Sequence, residues 1–121
     1  MELMDIVAEL KNASVQMPEE KIDQFIEAVD THERIFVYGT GRSGLMLKAL
    51  AMRLMQMGYQ SYVVGETTTP SVGKGDLLIV ASASGETQSV CSAADDGAKQ
   101  GTDVLVITGS KESTLSRNHE P

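Results

Sequence analysis

A chain of 121 residues has room for one domain, and 41% apolar residues is the composition of a globular core, not of a disordered chain. Seventeen acidic against ten basic residues give a formal net charge of −7. That disfavours a general nucleic-acid or anionic-membrane surface, which needs Lys and Arg in excess, but leaves room for a local small-anion pocket. The single cysteine, Cys91, excludes an intramolecular disulfide and fits a reducing compartment. Glu2 and Asp5 interrupt the N-terminus as no signal peptide does, and no run approaches the ~18 apolar residues of a membrane span. The expectation is a soluble, cytoplasmic protein with neither nucleic-acid nor membrane partners.

Two amphipathic helices are predicted first. Leu3, Ile6, Val7 and Leu10 share one helical face, and Ile22, Phe25, Ile26 and Val29 repeat the spacing. Pro18 suits the first turn of the second helix, where Glu19 and Glu20 complement its positive end. Residues 1–30 therefore read as a helical segment that packs on the domain or on a neighbouring subunit, and 31–121 as the domain itself.

From Arg34 the pattern alternates. Arg34–Tyr38 is a β-prone run, Ser43–Met57 a helix closed by Gly58, and Tyr59–Val64 a second strand. Leu77–Ala81 is a continuous apolar strand, as expected where both sheet faces are covered. Thr87–Gln100 is helical with Gly101 at its C-terminal cap, and Val104–Ile107 is a fourth strand. Alternating strands and helices predict an α/β fold: a mostly parallel sheet with helices on both faces, in three layers. The Ser43–Met57 helix carries Leu and Met around nearly its whole circumference, which predicts burial on all sides and a subunit interface.

Ligands of open α/β sheets bind beyond the carboxyl ends of the strands, and two loops of unusual composition fall there. Gly39-Thr40-Gly41-Arg42-Ser43-Gly44 combines glycines, a hydroxyl and a cation at a helix start. Alone it matches the dinucleotide fingerprint, with Glu66 after the second strand as a ribose acid. Ser82-Ala83-Ser84-Gly85-Glu86-Thr87 places three hydroxyls within six residues at the next helix start. Capping needs one hydroxyl; a phosphate monoester uses several. The helix dipole contributes about 0.3–1 kcal/mol to such an anion, and each hydrogen bond to the charged group roughly 1.5–3 kcal/mol. A dinucleotide fold does not require this second loop.

The pairing of these loops resembles the sugar isomerase (SIS) domain. Ala51–Met55, Val63–Pro70 and Glu112–Leu115 look like the 6-phospho-3-hexuloisomerases, so the likeness runs from about Arg34 to Leu115. The resemblance implies a flavodoxin-like topology and a phosphate site built by Gly41, Arg42, Ser43, Ser82, Ala83, Ser84, Gly85, Glu86 and Thr87. It implies a phosphorylated hexulose as substrate, no cofactor, and self-association into a homotetramer or dimer. The reaction would interconvert D-arabino-3-hexulose 6-phosphate and fructose 6-phosphate through an enediolate. Ala83 stands where the family usually has glycine. The family also continues about a third further, with its proton-acceptor glutamate in that part, so the domain reads as C-terminally short.

No catalytic base is named from the sequence. Glu66 lies at the correct edge but reads as a solvated or structural glutamate. Glu86 would repel substrate within the phosphate loop unless it faces away. His32 precedes the first strand and belongs at the opposite edge, while His119 and Glu120 sit in a tail. Arg42 suits charge stabilisation or an ion pair. No His/Cys cluster has metal-ligand spacing. A non-catalytic sugar-phosphate sensor is the alternative, and a dinucleotide-binding domain the lesser one.

Overall fold

The computed structural model describes residues 19–67, 69–82 and 87–108. The expected first helix at Leu3–Leu10, the Ala83–Glu86 segment and the Glu112–Leu115 match lie outside the described residues.

In chain order the elements are α1 (Glu19–Thr31), β1 (Arg34–Gly39), α2 (Gly41–Gln56), β2 (Gln60–Val63), β3 (Leu77–Ser82), α3 (Gln88–Lys99) and β4 (Asp103–Thr108). The strands form one parallel sheet in the order β2-β1-β3-β4. Odd-numbered sheet residues meet α1 and α2: Ile35, Val37, Leu77, Ile79, Ala81 and Ile107 pack with Phe25, Val29, Leu47, Leu50 and Leu54. Even-numbered ones meet α3: Phe36, Leu78, Val80 and Val106 pack with Val90 and Ala94. The two-residue period of a strand thus feeds both helical layers, and every residue of β3 is buried. The three-layer parallel α/β fold expected from the sequence is the fold observed.

Helix ends follow their capping chemistry. Gly58, at φ +95°, follows α2; its N–H bonds the Met55 carbonyl, and the Tyr59 N–H bonds the Leu54 carbonyl. Gly101, at φ +81°, repeats the arrangement after α3, with Thr102 N–H on the Gly97 carbonyl. Both are Schellman motifs, in which a left-handed residue lets the last carbonyls find donors. At its start, α2 begins two residues earlier than its apolar pattern, taking in Gly41 and Arg42.

The apolar circumference of α2 predicts burial on all sides, with one side in a subunit interface. In the single chain α2 is buried on one face only, by Leu47, Leu50, Ala51 and Leu54. Leu45, Met52 and Met55 are 69%, 53% and 55% exposed. The sheet and α1 cover one side of this helix, and no described element covers the other.

The amino edge of the sheet is held by ionic contacts. Arg34 donates to both carboxylate oxygens of Asp76, at 3.1 and 2.8 Å, and to the Ser71 carbonyl. His32 lies here, away from the strand carboxyl ends as its place in the sequence predicts. Its Nδ1 is 2.6 Å from the Ala28 carbonyl and its Nε2 2.6 Å from Asp103 Oδ2. Both neighbours are acceptors, so only the doubly protonated ring satisfies both. Burial lowers its pKa, but the Asp103 hydrogen bond, the Ala28 carbonyl and the charges of Asp103 and Asp76 outweigh this and raise it above 6.5. A raised native pKa contributes stability that is complete below the unfolded value and lost as pH rises through the native one. The urea midpoint should therefore fall from pH 6 upward through the raised His32 pKa, and His32→Gln should flatten that segment of the profile.

Candidate functional site

The strand order defines where a ligand can enter. From β1 the chain moves through α2 outward to β2; from β3 it moves through α3 outward to β4, on the other face. The two connections diverge at the carboxyl ends of β1 and β3, the topological switch point at which open α/β sheets bind ligands. Gly39 and Ala81 are register partners there, so the Gly39–Gly44 turn and Ser82 lie side by side.

At the end of β1 the helix runs tight against the strand. A Cβ on Gly44 would lie 2.6 Å from the Gly39 carbonyl oxygen, closer than real Cβ atoms approach oxygen. Gly41 takes φ +58° as the backbone turns into α2. The glycines of this loop therefore serve close helix–strand packing and a left-handed turn. The residue before the helix, Thr40, makes no side-chain cap, and the first turn contains no acidic residue. It carries exposed Arg42 and half-buried Ser43.

The end of β3 has the same character. Ser82 is 3% exposed, and its Oγ lies 2.8 Å from Thr87 Oγ1. Thr87 stands at the cap position of α3, yet its side chain makes no capping hydrogen bond, and the first turn of α3 again lacks acid. The sequence left plain capping by Thr87 open; instead its hydroxyl is held to Ser82 across the loop. Two helix N-termini without a side-chain cap and without an acidic residue in their first turns thus follow the neighbouring strands β1 and β3. Ser43, Gly41, Arg42, Ser82 and Thr87 are brought together at this edge; Ala83, Ser84, Gly85 and Glu86 lie outside the described residues, between Ser82 and Thr87.

Sequence reasoning missed one component. A cavity of about 210 Å³ opens between the carboxyl ends of β1 and β2, lined by Tyr38, Gly39, Gly44, Lys48, Gly65 and Glu66 among others. Lys48 lies one helical turn beyond Gly44, the i to i+4 spacing that could have placed it at the site. Among the described residues no group of three His, Cys, Asp or Glu side chains could hold a metal ion. No described helix is long and apolar enough to cross a membrane.

These features define the class: a doubly wound parallel α/β domain with two helix N-termini beside its switch point. A family model described as the SIS domain matches residues 29–120. The chain belongs to the SIS domain family. It is 39% identical over 113 residues to the 3-hexulose-6-phosphate isomerase of Bacillus subtilis, covering 93% of this chain and 61% of that protein. It is 45% identical over 87 residues to the corresponding isomerase of Methanocaldococcus jannaschii, covering 72% of this chain and 48% of that protein. The crystal structure of MJ1247 from Methanococcus jannaschii, from which a 3-hexulose-6-phosphate isomerase function was inferred, superposes with a TM-score of 0.73 at 35% identity. That match covers 99% of this chain and 70% of that structure. The chain spans less than two thirds of the length of these two isomerases.

The glycine packing makes its own prediction. Gly44→Ala should destabilise the fold by about 1–3 kcal/mol, because the new methyl group can be accommodated only by backbone movement. A urea titration reads this directly; an unchanged midpoint would mean that α2 and β1 separate freely.

Proposed function

We propose that this chain carries the phosphate-binding part of a hexulose-phosphate isomerase that interconverts D-arabino-3-hexulose 6-phosphate and fructose 6-phosphate. The observation that carries the reading is the pairing of two helix N-termini, free of side-chain caps and of acid in their first turns, with the part-buried Ser82–Thr87 hydroxyl pair at the switch point. Ser43, Ser82 and Thr87 supply hydroxyls to the phosphate, and the amides opening α2 and α3 supply N–H donors and dipole. Arg42 adds charge, and Ser84 and Gly85 complete the loop. The named function of the Bacillus and Methanocaldococcus relatives supports the substrate class.

Moving a carbonyl between adjacent carbons requires a proton to leave one and return to the other through an enediolate. The phosphate site anchors the unreactive end of the substrate. Binding energy gathered there orients the carbon chain toward a base. The protein does its work in the cytoplasm as a self-associating enzyme, and the exposed Leu45, Met52 and Met55 of α2 are the face through which a second copy docks.

Two experiments test this reading. Calorimetric titration with fructose 6-phosphate should give saturable binding that inorganic phosphate competes away. Ser82→Ala should weaken binding about tenfold or more, the worth of one hydrogen bond to a charged phosphate. Formation of 3-hexulose 6-phosphate tests turnover; binding without it would favour the sensor. For the assembly, Leu45→Asp with Met52→Asp should shift sedimentation to the monomer, and unchanged sedimentation would exclude this face.

A further inference from the structure

We propose that Glu66 and Lys48 form a polyhydroxy-chain subsite beside the phosphate loop and decide which phosphate ester the domain accepts. The inference rests on the phosphate reading above and concerns the part of the ligand that carries no phosphate.

Glu66 is held by backbone, and among the described residues its side chain has no hydrogen-bond or ion-pair partner. Its N–H bonds the Val63 carbonyl at 3.3 Å, closing a turn whose third residue, Gly65, takes φ +93°. That is the conformation of a type II turn and is open to glycine. Downstream, the Thr69 N–H bonds the Glu66 carbonyl at 3.0 Å, and Thr69 Oγ1 bonds the Val63 carbonyl at 2.7 Å. These bonds fix the turn over the end of β2, and Glu66 reaches the cavity between β2 and β1. Lys48 enters the same cavity from α2. Among the described residues neither side chain makes a hydrogen bond or an ion pair; the salt bridges found there are His32–Asp103 and Arg34–Asp76. A carboxylate and an ammonium group thus share a cavity without neutralising each other.

The placement suits one kind of ligand. Strands lie about 4.8 Å apart, so the end of β2 is roughly 10 Å from the end of β3, where Ser82 and Thr87 lie. This is comparable to an extended six-carbon chain taken together with its phosphate ester. At that separation the Glu66 carboxylate is clear of a phosphate on Ser82, and it can accept hydrogen bonds from two neighbouring hydroxyls. The Lys48 ammonium can donate to a hydroxyl or carbonyl oxygen. A volume of about 210 Å³ is below the roughly 300–1,000 Å³ of drug-sized sites, and so fits a hydroxylated chain better than a base and ribose. Glycines at 39, 44 and 65 share the lining with apolar side chains such as Val37, Leu47 and Val64.

The test compares two probes on one protein. Fructose 6-phosphate and inorganic phosphate are titrated calorimetrically into the wild-type chain, Glu66→Gln, Lys48→Gln and Ser82→Ala, with a melting curve for each. Glu66→Gln and Lys48→Gln should each weaken fructose 6-phosphate about tenfold while leaving inorganic phosphate and the melting temperature unchanged. Ser82→Ala should weaken both ligands together. Loss of both ligands in Glu66→Gln, or of neither, would overturn the subsite. Wild-type protein that binds phosphate but not fructose 6-phosphate would overturn the subsite and leave the phosphate loop standing. Protein that binds neither would remove both.

Discussion

The contact on which the arrangement depends is backbone against backbone: Gly44 of α2 lies on the Gly39 carbonyl at the end of β1. With no Cβ between them, the first turn of the helix settles directly over the strand terminus. The start of the helix is thereby held beside β3, whose Ala81 is the register partner of Gly39. A side chain at position 44 would lift the helix and widen the gap that the two loops share. Gly39 and Gly44 also line the cavity that Lys48 enters.

Around that contact the parallel sheet does two things at once. Its alternating residues feed separate cores on the two faces, one under α1 and α2 and one under α3. Because α2 and α3 lie on opposite faces, their N-termini approach the crevice from opposite sides. A ligand at the proposed site would meet both βα units, an arrangement that neither could provide alone. The amino edge, by contrast, is occupied by ion pairs and hydrogen bonds among Arg34, Asp76, His32 and Asp103. Stability chemistry and ligand chemistry are thus segregated to opposite ends of the strands.

Electrostatics at the site is local. A chain with net charge −7 keeps acid out of the first turns of both α2 and α3 and sets Arg42 in one of them. Glu66 is the acidic residue admitted to the neighbouring cavity, two strand positions from the Ser82 loop and opposed by Lys48. In the proposed subsite a negative group would accept hydrogen bonds from hydroxyls at a distance from the anion.

The sequence by itself determined the fold class and singled out the two loops that follow β1 and β3. Continuous apolar strands such as Leu77–Ala81 and glycine-closed helices are local signals, each dictated by short-range sterics and burial. The two hydroxyl-bearing loops were legible because helix starts and strand ends follow from the same patterns. Tertiary structure alone decided three things. It gave the Thr87 hydroxyl to Ser82 rather than to its own helix, a choice between partners five residues apart that spacing leaves open. It left one face of α2 uncovered, since an apolar circumference does not say which side the sheet will take. And it joined Lys48 to Glu66 in one cavity, because strand order sets β2 beside β1, and pairing between distant segments is written in no single stretch of chain.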